Sequence, residues 1–197
     1  MLHTVARPGS PAEDTRTRIL LAAKELYEQN GTRGTTTREV AERAGVNEAT
    51  LFRHFGNKHA LLIAMREQSC GLAYFESVMA SLTGDLRNDL RMIGGSMAER
   101  MFAQRAMMCV SLAEDARGDI DLHAPEWRGP TEILARLDEF FRAQVAAGSI
   151  HGEPGRLATY FSGIFFSYVV GRKLWRSDVV KAEDVDFIVD VFLNGAK

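Results

Sequence analysis

The stretch Thr36–Phe55, TTREVAERAGVNEATLFRHF, constrains the fold more than any other part of the chain. Thr36 followed by Glu39 has the spacing of a capping box, and Val40, Ala41 and Ala44 then share one face of a helix. Gly45 ends that helix in the left-handed conformation glycine adopts at little cost, and Val46 plugs the turn. Asn47 caps a second short helix with Leu51 and Phe55 inward and Ala49, Thr50 and Arg53 on the other side. Small residues at positions 44 and 45 let the two helices cross closely, so the second stands proud of the surface. Such a pair either inserts its second helix into a DNA major groove or is an ordinary helical hairpin of an all-α protein. In the first case Thr50 and Arg53 meet bases or phosphates, and Thr36 and Arg38 meet the backbone.

The surrounding residues favour DNA. Gly31, Thr35, Arg38, Val40, Ala41, Ala44, Gly45, Val46, Thr50, Leu51, Phe52, His54, Phe55, Lys58 and Leu61 together resemble the DNA-binding region of the tetracycline repressor (TetR) family. Three positions depart from that pattern. Thr32 replaces a usual aromatic, Phe52 a usual tyrosine with its phosphate-binding hydroxyl, and Glu48 a neutral or basic residue. Glu48 then either accepts from a cytosine amine or repels phosphate. The resemblance implies a DNA-facing set of Thr36, Arg38, Asn47, Glu48, Ala49, Thr50, Phe52, Arg53, His54 and Lys58. It also implies an all-α architecture, in which a three-helix helix-turn-helix head precedes a larger helical body for ligand binding and dimerisation.

Charge agrees with directed binding. The net charge is −2, yet residues 1–60 carry nine Lys/Arg against seven Asp/Glu, so the head is mildly basic and the rest acidic. Non-specific electrostatic affinity is therefore expected to be weak, leaving more of any affinity to directed contacts from a pair of subunits. Cys70 and Cys109 have no partner at metal or redox spacing, which fits a reducing compartment. The start MLHTVARPGSPAED has no signal-like apolar run and no later segment has membrane-spanning length, so a cytoplasmic protein with no membrane partner is expected.

In chain order, residues 1–13 read as a loose arm whose Arg7 is a weak minor-groove candidate, residues 14–57 as the DNA-binding head and 58–197 as the body. A first helix is expected from Asp14 to Asn30, with Ile19, Leu20, Ala23, Leu26 and Tyr27 inward. One long helix from Lys58 to about Ala80 links head to body, and the small head leans on it. Further helices are expected at about 85–102, 103–117, 131–147, 155–174 and 182–194. The last two are so broadly apolar that they read as a homodimer face through Phe165, Val169, Val185, Ile188, Val189 and Phe192, the alternative being a terminal hairpin on its own core.

Methionines and aromatics cluster in the body, a mixture that can line an adaptable apolar cavity. The candidate effector-binding residues are Met97, Met101, Met108, Trp127, Phe141, Phe161, Phe165 and Tyr168, with Tyr160, Tyr168 or Gln104 as polar anchors. No catalytic, metal or cofactor constellation is expected. His54 and His59, five apart, do not share a helical face, and there is no Gly-rich phosphate loop or nucleophile elbow. The expected function is a ligand-released repressor that binds a palindromic double-stranded DNA operator as a homodimer and responds to an apolar or aromatic small molecule. A DNA-binding regulator without a small-molecule inducer, and a small-molecule binder or adaptor that has lost DNA affinity, remain as alternatives.

Overall fold

The computed structural model describes residues 11–171 and 180–195, and among these it contains ten α-helices and no strand. The chain divides into two compact units, one running to Arg66 and taking in Val110–Asp121, the other comprising Glu67–Cys109 and Leu122 onward. The first unit is thus larger than the expected head of residues 14–57. Three short helices enclose too little apolar surface, and Leu61, Leu62 and Met65 of the next helix are buried in addition to their own core.

In the first unit, α1 (Pro11–Gly34) buries Ile19, Leu20, Ala23, Leu26 and Tyr27. It begins inside the expected arm and runs past Asn30, with a break at Gly31 (φ 68). Arg7 lies outside the described residues. Helices α2 (Thr37–Ala44) and α3 (Glu48–Phe55) follow, and then α4 (Lys58–Cys70).

The expected single helix over 58–80 is broken. Gly71 is left-handed (φ 76, ψ 30) and separates α4 from α5 (Leu72–Met79). The guanidinium of Arg100 explains the break. Its Nε donates to the Ser69 carbonyl at 3.0 Å and its Nη2 to the Gln68 carbonyl at 2.9 Å, satisfying oxygens at the end of α4. A side chain on residue 71 would collide with that guanidinium.

The second unit contains α5, α6 (Leu86–Ala103), α8 (Gly129–Ala146), α9 (Pro154–Gly171) and α10 (Ala182–Gly195); α7 (Arg105–Ala116), like α4, has residues in both units. Positions 172–174, at the end of the expected 155–174 helix, lie outside the described residues. Helix α8 starts at Gly129 because Glu67 Oε1 accepts from the Arg128 and Gly129 amides at 2.8 and 3.3 Å, a cap donated by α4. Around α9 the core is an aromatic stack. Phe161 meets Phe141, Phe165 and Phe192 with centroids 5.8, 5.1 and 5.0 Å apart. These tilted and edge-on contacts suit the ring quadrupoles. Arg87 pairs with Asp190 and Arg91 with Asp186, fastening α6 to α10.

Candidate nucleic-acid interface

Every turn of the α2–α3 pair is fixed by a local bond. The Thr36 hydroxyl accepts from the Glu39 amide at 3.2 Å, while the Glu39 carboxylate accepts from the Thr36 amide at 3.2 Å and hydroxyl at 2.7 Å. The same Thr36 hydroxyl and amide hold the Glu39 carboxyl below its ordinary pKa. Gly45 (φ 67, ψ 40) closes α2, with the Val46 amide reaching back to the Ala41 carbonyl at 2.9 Å. Asn47 Oδ1 accepts from the Thr50 amide at 2.8 Å, and Asn57 Oδ1 does the same for Ala60 at the start of α4.

These caps leave α3 with one buried and one open side. Leu51 and Phe55 are buried, whereas Asn47, Ala49, Phe52 and Arg53 are exposed and Thr50, His54 and Lys58 half-buried. Among the described residues Arg53 and Lys58 have no ion-pair partner. Thr36 and Arg38 are exposed at the start of α2. Arg38 pairs with Glu42 at 3.0 Å, a hydrogen bond that raises the guanidinium pKa. An exposed pair of this kind is worth little and yields readily to a phosphate. Glu48 is placed differently from the rest, because its Oε1 accepts from the Thr37 hydroxyl at 2.7 Å and so ties the starts of α2 and α3 together.

The body holds a small cavity of about 60 Å³, lined by Cys70, Gly71, Tyr74, Phe75, Ser96, Met97, Arg100, Met101 and Ile133. Of the eight expected effector residues only Met97 and Met101 reach it. Phe141, Phe161 and Phe165 are completely buried in the aromatic stack, so they are core and not cavity wall. Met108 and Trp127 are half-buried elsewhere, and Tyr168 donates to Asp184 at 2.8 Å at the surface. Sequence reading missed Arg100 and Cys70. The one available signal was Gly71 interrupting a helical run, and Arg100 is 29 positions further along. Burial, then Glu67, pushes the Cys70 thiol up to about 11, which makes it a neutral wall group. Gln104, one of the suggested anchors, is half-buried with an Oε1 that has no hydrogen-bond partner among the described residues.

The expected dimer residues lie largely inside the single subunit. Phe165, Val169, Val185, Ile188, Val189 and Phe192 are all buried within the single subunit, packed into its own core. What α9 and α10 leave outside is a different set. Tyr160, Phe187 and Val191 are 66%, 69% and 53% exposed, and the first two line an open trough of about 500 Å³ together with Gly163, Ile164, Ser167, Tyr168, Asp184 and the edge of Ile188. Among the described residues no helix is long and apolar enough to cross a membrane, and no group of three or more His, Cys, Asp or Glu is placed to hold a metal.

Comparison with known proteins accords with this geometry. Residues 19–65 match the profile of the bacterial regulatory proteins of the tetR family. An uncharacterised HTH-type transcriptional regulator of Bacillus subtilis, YvkB, is 34% identical over 160 residues, which is 80% of this chain and 82% of that protein. The fold is shared with the fatty acid degradation regulator FadR of Bacillus halodurans, at TM-score 0.75 and 18% identity over 95% of this chain and 97% of that one. It is shared as well with FadR of Bacillus subtilis, solved in complex with stearoyl-CoA, at TM-score 0.76 and 16% identity over 92% and 99% of the two chains. A capped helix pair with an open outer side, inside a segment matching the family profile and within a chain aligned over most of a regulator's length, makes this protein a transcriptional regulator of the TetR family.

Proposed function

We propose that the protein is a ligand-released repressor that binds an imperfect palindromic operator as a homodimer. The observation that carries this reading is the open side of α3. Ala49 and Arg53 are exposed while Leu51 and Phe55 anchor the helix from behind, so contacts are available where a major groove would receive them. In this reading Asn47, Ala49, Thr50, Phe52, Arg53 and His54 face the groove, and Thr36, Arg38 and Lys58 meet phosphates. Glu48 acts at one remove through its bond to Thr37.

The second copy pairs through the trough and the exposed Tyr160, Phe187 and Val191, apolar surface that a subunit gains by covering. The effector enters the body beside Met97 and Met101 and is largely apolar. Arg100 supplies its polar anchor, since among the described residues this cavity-lining cation has backbone carbonyls and no carboxylate as partners. An acceptor group on the effector would compete with the Ser69 and Gln68 carbonyls and loosen the α4–α5 joint. Stearoyl-CoA in the similarly folded FadR structure is an example of a ligand that joins a long apolar chain to a charged, acceptor-rich group. Action is in the cytoplasm, where the operator is.

Selection of bound fragments from random double-stranded DNA tests the reading, followed by release assays with a lipophilic library. Enriched sequences with two-fold symmetry and at least one releasing compound are the expected result. Failure to enrich any sequence overturns the DNA-binding assignment. A second reading is favoured by one observation: a 60 Å³ cavity is well below the roughly 300 Å³ at which drug-sized pockets begin. A regulator without a small-molecule inducer fits so small a cavity, and enrichment of DNA with no releasing compound would select it.

A further inference from the structure

The first unit contains a buried polar cluster that neither DNA contact nor effector binding uses. Glu114 on α7 and Arg66 on α4 are 3% and 6% exposed, and Tyr27 on α1 is fully buried. Glu114 Oε2 accepts from the Tyr27 hydroxyl at 2.7 Å and the Thr32 hydroxyl at 2.9 Å, and its Oε1 accepts from the Thr32 amide at 2.5 Å. The Tyr27 proton is committed to Glu114, so the Ser111 hydroxyl, 2.9 Å away, donates to the Tyr27 oxygen, as does Arg66 Nη2 at 3.1 Å. Arg66 Nη2 also lies 3.9 Å from the Glu114 carboxylate, completing the charge balance of the cluster.

From Thr32 the cluster leads directly to α2. Gly31 has φ 68, and a Cβ there would stand 2.5 Å from Glu114 Oε1, so only glycine lets the Thr32 amide reach the carboxylate. The Gly31 carbonyl in turn accepts from the Thr35 amide at 3.1 Å and hydroxyl at 2.7 Å. Thr36, the cap of α2, is the next residue. A hydrogen-bonded path thus runs from Glu114 to the residue that starts the helix-turn-helix.

We infer that Glu114 is a positioning residue for operator binding: through Thr32 and Gly31 it sets the direction in which α2, and with it α3, leaves the first helix. Thr32, the departure from the family's usual aromatic, is its matched partner, supplying two of the three donors to the carboxylate. The inference rests on the DNA-binding reading and adds a residue 59 positions beyond the end of α3 to the determinants of affinity.

Thr32→Val, Thr32→Ser and Glu114→Gln are compared with wild type on a fragment that wild type selects from random double-stranded DNA. Fluorescence anisotropy across a salt series gives affinity, and thermal unfolding and sedimentation run alongside. Thr32→Val, which keeps the amide and shape but deletes the hydroxyl, is expected to weaken binding about tenfold, as loss of a hydrogen bond to a charged acceptor would. Its salt slope should fall because fewer phosphates are met, and Thr32→Ser should restore both. Glu114→Gln is expected to lose at least as much wherever it folds. Unchanged affinity and slope in Thr32→Val, with only the unfolding temperature moved, overturns the inference and leaves the cluster a stabilising one. Selection of no fragment by wild type overturns the DNA-binding reading, and this inference with it.

Discussion

The ring of Phe165 fills the space where a side chain on Gly94 would stand. Helix α6 presents bare backbone to the Phe165 ring of α9 at that point. Gly95, the next residue, has open room by contrast, its would-be Cβ meeting nothing nearer than Val185 Cγ1 at 4.0 Å.

The two neighbours therefore predict opposite outcomes. Gly94→Ala should destabilise the protein by about 1–3 kcal/mol through overpacking against a fully buried ring. Gly95→Ala, in the same helix without the obstruction, should stabilise it by roughly 0.5–1 kcal/mol, the usual gain from replacing glycine inside a helix. Urea unfolding of the pair measures both signs.

Arg53→Ala should leave stability unchanged and weaken operator binding about tenfold, because the side chain is exposed and no ion pair is lost with it. Leu51→Ala should do the reverse at first hand, costing roughly 2–5 kcal/mol of stability from a position with no exposure. Anisotropy and chemical unfolding on the same samples separate the two effects.

Tyr160→Glu and Phe187→Glu place charge on side chains that are 66% and 69% exposed beside the trough. Both are expected to shift sedimentation at micromolar concentration toward the single subunit while leaving the unfolding of that subunit intact. Phe165→Ala instead should cost about 3–5 kcal/mol, since the residue it truncates is core.

The Cys70 thiol, with its pKa pushed up to about 11, should resist iodoacetamide near neutrality and react faster as pH climbs toward that value. Its folded-state pKa lies above the ordinary 9.0, so the native protein holds this proton more tightly than the unfolded chain. That contribution to stability is complete below pH 9 and is lost as pH rises from there toward 11. Mass spectrometry of labelled peptides across pH, with glutathione as the reference thiol, follows the first effect, and unfolding curves the second.

How far the sequence could be read depended on the range of the forces involved. The α2–α3 pair was legible because Thr36, Glu39, Gly45 and Asn47 act on neighbours within a few positions, and the structure shows each of those caps. Helical spacing also marked Val185, Ile188, Val189 and Phe192 as an apolar face. Periodicity reports that a face is covered, not what covers it, and here the subunit's own core does so. The same limit applied to Phe141, Phe161 and Phe165, whose size suits a pocket wall and a filled interior equally. Arg100 capping Ser69 and Gln68, and Glu114 receiving Thr32, join residues 31, 32 and 82 positions apart, separations at which local spacing carries no information.

Helices α9 and α10 turn Phe161, Phe165, Val169, Val189 and Phe192 into their own subunit and leave Tyr160 and Phe187 outside, so much of their apolar surface is covered without a second copy. In the homodimer we propose, association through the remaining surface follows mass action. On that reading subunits from different molecules would trade places, and the proportion assembled would track how much protein the cell makes.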